Sequence, residues 1–336
     1  MITVNEIAKL AGVSATTVSL CFKEKSRISE NTRKKVLEIA SKHGYFPNKI
    51  AQILKKGSSN LVGIVVSEFD TPFMQEIVTN AERYLSDVGY KVMIFSTYRD
   101  LEKEKEALTQ LIEFQACGLI VCACERENDL LSRISKSLPT VCVDSEPPNV
   151  NSHYIIEDMT GIVKTGLDYL LSLGHEKILF INGSKKEEHF KSFKLFNDTS
   201  KEYLKTKGIE LGKKYFINGG IYIKDGYNAI QQALWQNLDF SAVFCISDNV
   251  AVGVMEALDE KGISIPEKVS VLGIDDSEMA KLRRINLTTI VTTYGKNYMH
   301  IGEMAADLLI KSLRDKDYPL KKIIMEPKLV VRGSCK

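Results

Sequence analysis

Apolar and polar positions along this chain fall into two regimes, a short helical stretch and a long alternation of strands and helices. At the start, Thr3-Val4-Asn5-Glu6 has capping-box spacing, and Ile7, Ala8, Leu10 and Ala11 follow as an apolar face that Gly12 ends. Ser14 is placed to cap a second helix, Ala15 to Phe22, with Val18 and Phe22 inward. Ser29 caps a third, Glu30 to Lys42, with Val36, Leu37, Ile39 and Ala40 inward and His43-Gly44 as its stop. From Leu61 the pattern changes. Leu61-Val62-Gly63-Ile64-Val65-Val66 is continuously apolar, as a strand buried on both faces requires. A helix from Gln75 to Val88, a strand from Lys91 to Phe95, a helix near Glu102 to Phe114 and strands at 118–122 and 140–143 follow. A helix near 161–173 then leads into a second series, with strands at 178–181, 242–246 and 269–273. Two such series predict two doubly wound parallel-sheet lobes with a ligand cleft at the carboxyl ends of their strands.

With 336 residues, 44% of them apolar and 26% charged, the chain has material for two or three domains. No apolar run is long enough to span a bilayer, and the first residues lack the pattern of an export signal, so a cytoplasmic protein with no membrane partner is expected. Seven scattered cysteines read as buried thiols rather than a disulfide framework. The charge is uneven. Residues 1–60 hold eleven Lys and Arg against four acids, while the remainder holds 34 basic and 39 acidic residues. A basic head on a mildly acidic body points the head toward a polyanion.

Two helices joined by a tight Gly-containing turn make a helix-turn-helix, whose second helix reads the major groove with its N-terminal side chains. Here those are Ala15, Thr16 and Thr17, then Ser19 and Leu20. A protein-docking bundle is the alternative, and the charge favours DNA. No G-x-G-x-x-G, phosphate-binding loop or G-x-S-x-G occurs, so an enzyme is not expected. The cysteines at 122 and 124 and the five dispersed histidines suggest no metal site, and no cofactor is implied.

The run from Val4 to Ser19, together with Arg27-Ile28-Ser29-Glu30-Asn31-Thr32-Arg33 and Gly44-Tyr45-Phe46-Pro47-Asn48, closely resembles the head of the LacI/GalR family of bacterial transcription regulators. The similarity continues to Pro327–Ser334 and so covers nearly the whole chain. It implies a helix-turn-helix domain (1–46) and a hinge helix with linker (47–60). It also implies an effector domain of two periplasmic-binding-protein-like lobes, 61–159 with 293–322 and 160–292 with 323–336. DNA contacts are implied for Thr3, Ser14, Ala15, Thr16, Thr17, Ser19, Leu20, Lys23, Asn48 and Lys55, with Leu54 as a minor-groove wedge. Leu20 stands where most members carry a base-reading Arg, which implies an unusual operator.

In the body, Thr71-Pro72-Phe73-Met74 resembles the family's effector loop, Ser247-Asp248-Asn249 its S/N-D segment and Gly273-Ile274-Asp275-Asp276 its G-Y/F-D-D segment. The resemblance implies effector contacts at Phe73, Asp144, Phe193, Tyr222, Ser247, Asp248 and Asp275. Strand-end capping is the competing role for the Asp residues. Phe193 occupies the position of the family's effector-gripping Arg, with Lys191 and Lys194 nearby as substitutes. The implied protein is an allosteric, homodimeric repressor on a pseudo-palindromic operator. Its effector would be a sugar or sugar derivative, a nucleobase being open as well. A regulator answering to a phosphocarrier protein is the alternative.

Overall fold

The computed structural model describes residues 2–22, 26–46, 59–184, 190–293 and 299–336. The chain divides into two compact units, Met1–Ser59 and Asn60–Lys336.

In the first unit, α1 (Val4–Ala11), α2 (Ala15–Cys21) and α3 (Glu30–Lys42) begin at the residues their caps select. The Thr3 hydroxyl accepts the Glu6 amide while the Glu6 carboxylate accepts the Thr3 amide at 2.7 Å, closing the capping box. Gly12 takes φ 70°, a left-handed stop that a β-carbon would strain. Ile7, Ala8, Ala11, Val18, Cys21 and Val36 form a small core, and Phe22 packs edge-on against Tyr45. Two expected core residues lie outside it. Leu10 and Leu37 are exposed, because the core of a three-helix unit this small takes only one narrow stripe from each helix.

The second unit holds two half-sheets of the same topology joined by one shared strand. The first comprises β1 (Leu61–Val66), β2 (Lys91–Ser96), β3 (Gly118–Val121), β4 (Thr140–Val143) and β5 (His153–Glu157), all parallel in the order β2-β1-β3-β4-β5. The second comprises β6 (Ile178–Asn182), β7 (Phe216–Asn218), β8 (Ala242–Cys245), β9 (Ser270–Ile274) and β10 (Thr288–Thr293), in the matching order β7-β6-β8-β9-β10. The last strand, β11 (Lys322–Val330), runs parallel to β5 through Met325 and antiparallel to β10 from Glu326 onward. Covering helices are α4 (Pro72–Asp87), α5 (Leu101–Glu113), α6 (Asp129–Ile134) and α11 (Ile301–Arg314) on the first half, and α7 (Met159–Ser172), α8 (Lys191–Thr206), α9 (Ile223–Trp235) and α10 (Asp248–Glu260) on the second.

Helices cover both faces of each half-sheet, which explains the continuously apolar strands. Leu119, Val121 and Cys142 face one layer of the first lobe, and Ile120, Val141 and Val143 the other. The second lobe closes around Phe180, Phe196 and Phe244. There α9 and α10 approach so closely that a β-carbon on Gly226 would lie 2.0 Å from the Val250 carbonyl oxygen. All seven cysteines are free; burial raises the Cys124 and Cys142 thiols to about 12, which makes them poor nucleophiles. No described helix is long and apolar enough to cross a membrane.

Each half-sheet has its switch point between its first and third strands, where crossovers leave in opposite directions. The loops after β1, β3, β4 and β5 therefore gather at one place on the first lobe. Those after β6, β8 and β9 gather at the matching place on the second. The shared strand turns these two places toward each other.

Candidate functional site

In the helical unit the Ser14 hydroxyl accepts the Thr17 amide at 3.0 Å and bonds the Thr17 hydroxyl at 2.9 Å. The Ser19 hydroxyl turns back to the Ala15 carbonyl. Three hydroxyls of the helix expected to read DNA thus shape the helix itself, and Thr16 is left as its exposed hydroxyl. Ala15 and Leu20 are half-buried, and Thr3 and Ser14 are exposed at the helix starts. Arg33 of α3 donates to the Cys21 carbonyl at 2.9 Å and to the Ser26 hydroxyl at 2.6 Å, satisfying the end of α2. Lys23, Asn48, Leu54 and Lys55 lie outside the described residues.

In the second unit one cleft of about 790 Å³, its open mouth included, lies between the lobes. Five of the seven expected effector residues line it: Phe73, Asp144, Phe193, Ser247 and Asp275. Helix α4 starts three residues earlier than its periodicity suggests, with Pro72 at its first position, and this brings Phe73 onto the cleft wall.

Asp144 and Asp275 are counterparts. Each ends the fourth step of its lobe, after β4 and after β9. Each donates its amide to a carbonyl of the next strand at 2.9 Å, to Ile155 and Ile290 respectively. Both adopt positive φ, 52° and 113°, which costs a residue with a β-carbon. Burial raises both carboxyls well above the usual carboxylate range, and Glu157 raises both further. Glu157, at the end of β5, is raised by burial as well and accepts the Thr292 hydroxyl at 2.6 Å.

Asp248 belongs elsewhere. It is fully buried, accepting the Ser277 amide at 2.7 Å and the Thr289 hydroxyl at 2.6 Å, and does not line the cleft. Burial raises it to about 6. In this structure Asp248, expected as an effector contact, ties α10 to the β9 loop and β10. Tyr222 also stands apart from the cleft wall, its hydroxyl donating across the lobes to Asp70 at 3.4 Å.

The largest unforeseen feature is Arg99, from the loop after β2. It forms a two-point pair with Glu68, at 3.0 and 2.9 Å. Its guanidinium lies 4.9 Å from the ring centre of Phe190 and 5.0 Å from that of Phe193, on the opposite lobe. A guanidinium therefore reaches Phe193 from across the cleft, at the position where the resemblance led to the expectation of an arginine. Lys191 instead joins Glu146 of the first lobe, and its amide donates to Glu125 at 2.5 Å. Glu68, Glu157, Thr71 and Asn249, with Ser67 and Ser192, are further polar lining outside the expected effector contacts. One signal was available: an acid follows within two residues of several apolar strand runs, as in Val66-Ser67-Glu68, Val143-Asp144, Ile156-Glu157 and Ile274-Asp275. Among the described residues no group of three carboxylates, histidines or cysteines is close enough to hold a metal ion.

Residues 3–48 match the family model described as bacterial regulatory proteins, lacI family, and residues 167–335 match a periplasmic binding protein-like domain. The chain is 30% identical to the HTH-type transcriptional repressor PurR of Pasteurella multocida, over 100% of this chain and 99% of that protein. A LacI-family transcriptional regulator from Silicibacter pomeroyi superposes with a TM-score of 0.83 at 23% identity, covering 99% of both chains. A periplasmic binding protein/LacI transcriptional regulator from Alkaliphilus metalliredigens, solved with D-xylulofuranose, superposes with a TM-score of 0.71 at 26% identity, over 83% of this chain and all of that one.

Proposed function

The chain belongs to the LacI family of bacterial regulatory proteins and is a DNA-binding transcriptional repressor of the LacI type, not an enzyme; from that premise we propose that its operator affinity is set by a small molecule bound between the two lobes. The observation that carries this reading is convergence. Loops from both half-sheets, ending in Asp144 and Glu157 on one side and in Ser247 and Asp275 on the other, line one cleft. A ligand touching both walls favours one angle between the lobes over others, and it shifts DNA affinity by its differential affinity for the two states. The same convergence favours a small ligand over a phosphocarrier protein as the co-regulator.

The sugar held by the Alkaliphilus protein supports a carbohydrate-like ligand. Aromatic walls at Phe73, Phe190 and Phe193 suit the apolar face of a ring, and carboxylates suit its hydroxyls. In the head, Thr16 and Leu20 read bases in the major groove while lysines meet phosphates. The chain acts as a homodimer in the cytoplasm on a pseudo-palindromic site, the half-site spacing following the two-fold axis. In this reading the effector domain is built of 61–159 with 293–322 and of 160–292 with 323–336.

Selection of random duplexes by the full-length chain tests the proposal. The expected product is an enriched pseudo-palindrome, bound with a steep inverse dependence on salt. Its affinity is expected to fall when Leu54→Ala removes the proposed wedge. Recovery of no common sequence would remove the operator from this account.

A further inference from the structure

Among the described residues, the polar groups left without partners in the cleft are mostly acceptors. Among the described residues, neither the Asp144 nor the Asp275 side chain has a hydrogen-bond or ion-pair partner in the cleft. Asn249, 8% exposed, has its Oδ1 unbonded, and Thr71, also 8% exposed, has an unbonded Oγ1. Both line the same cavity. The guanidinium of Arg99 is already engaged by both oxygens of Glu68 and by two aromatic rings. Glu157 adds a third carboxylate to the wall. Buried polar groups are ordinarily paired, so this wall is built for something rich in donors.

Two kinds of ligand fail that description. An anion, such as a sugar acid or a sugar phosphate, would lie against three carboxylates. A metal ion finds no three ligating groups close enough together among the described residues. We propose that the cleft selects a hydroxylated small molecule carrying a protonated amine, with the ammonium held between Asp144 of one lobe and Asp275 of the other. The hydroxyls of the ligand meet Asn249 and Thr71, and its apolar face meets Phe73 and Phe193. An ammonium donates three hydrogen bonds, enough to satisfy a carboxylate from each lobe at once. Because the two carboxylates belong to different lobes, the cation also draws the lobes together. Burial, and the nearby charge of Glu157, raise both acids above the usual carboxylate range, and a cation placed between them offsets that repulsion. This inference rests on the small-molecule reading above and narrows it to one chemical class.

Three matched sets of compounds test it on the full-length chain: glucosamine, galactosamine and mannosamine, their parent hexoses, and the corresponding hexuronates. Thermal melting reports binding, and release of the selected duplex reports regulation. The expected result is that at least one hexosamine binds about tenfold more tightly than its parent hexose, and that no hexuronate binds. Asp144→Asn and Asp275→Asn should each abolish that preference while melting no lower than the wild type. That control separates a lost contact from a lost fold. A hexose or hexuronate that binds as well as any hexosamine overturns the assignment of charge, and if it also releases DNA the small-molecule reading stands without it. A hexosamine preference that survives both Asn variants overturns the assignment to these two residues. If no compound in any set binds or releases DNA, both the inference and the reading beneath it fail.

Discussion

The helical head and the interlobe cleft are stabilised over different distances along the chain. In the head the side-chain bonds that fix the helices join residues three or four apart, as at Thr3–Glu6, Ser14–Thr17 and Ser29–Thr32, and the longest described, Arg33 to the Cys21 carbonyl, spans twelve. In the cleft wall the corresponding bonds span 31 residues at Glu68–Arg99 and 135 at Glu157–Thr292, and outside it the Tyr222–Asp70 bond across the lobes spans 152. The head therefore settles its geometry locally and presents it outward. The cleft has no geometry until both half-sheets are complete. Its polar groups are also held less comfortably, with positive φ at Asp144 and Asp275 and carboxyls raised by burial. Such costs mark groups kept for something other than stability.

Two aspartates of the second lobe, Asp248 and Asp275, should respond oppositely to substitution. Asp248→Ala should lower the stability of the effector unit by about 3 kcal/mol, because the Ser277 amide and the Thr289 hydroxyl lose a buried charged acceptor. Asp275→Asn should leave stability unchanged or raise it by about 1 kcal/mol. Denaturant unfolding measures both, and equal losses would erase the distinction between a structural and a functional carboxylate.

Next in size is Arg99→Ala, which strands the nearly buried Glu68 and removes the guanidinium from Phe190 and Phe193. We expect a loss of about 2 kcal/mol in chemical unfolding, together with weaker coupling between ligand and DNA. Stability lost with coupling intact would make the arginine a local brace only.

The pH dependence has a definite sign. Burial raises Asp144, Asp275, Glu157 and Asp248 above their unfolded values, so the folded chain holds more protons. Their contribution is fully present below the unfolded value near 4 and is lost as pH rises through the folded value, about 6 for Asp248. The difference in unfolding free energy between wild type and Asp275→Asn should therefore move in favour of the variant as pH rises from about 4 to 7. The movement is roughly 1.4 kcal/mol for each tenfold by which folding strengthens proton binding at Asp275. A difference independent of pH would show that Asp275 titrates normally.

The smallest effects belong to the head. Ser14→Ala should cost about 1 kcal/mol through the lost cap of α2. Thr16→Ala should change stability by less than about 0.5 kcal/mol and yet alter which duplexes are selected. If both changes only destabilise, the exposed hydroxyl reads no bases.

How much of this was legible from sequence follows the same divide. The starts of all three head helices were legible, because a cap is a contact between residues three apart. Leu10 and Leu37 were misplaced because periodicity identifies an apolar face but not how wide a neighbour covers it. In the body, the alternation of strands and helices implied two wound lobes, and the family resemblance pointed to Asp144, Asp248 and Asp275 alike. The same pattern offered no means of separating Asp275 from Asp248, which sits after another strand and also lies near an amide and hydroxyls.

Residues close together in the chain were enough to specify the local elements, the basic head, and the acids that stand directly after several of the apolar strands. Which acids find partners, which remain exposed to a ligand, and which cation reaches Phe193 were fixed only when the half-sheets met. Those outcomes depend on contacts between loops more than thirty residues apart, and on the loss of water around charges that the linear pattern leaves fully solvated.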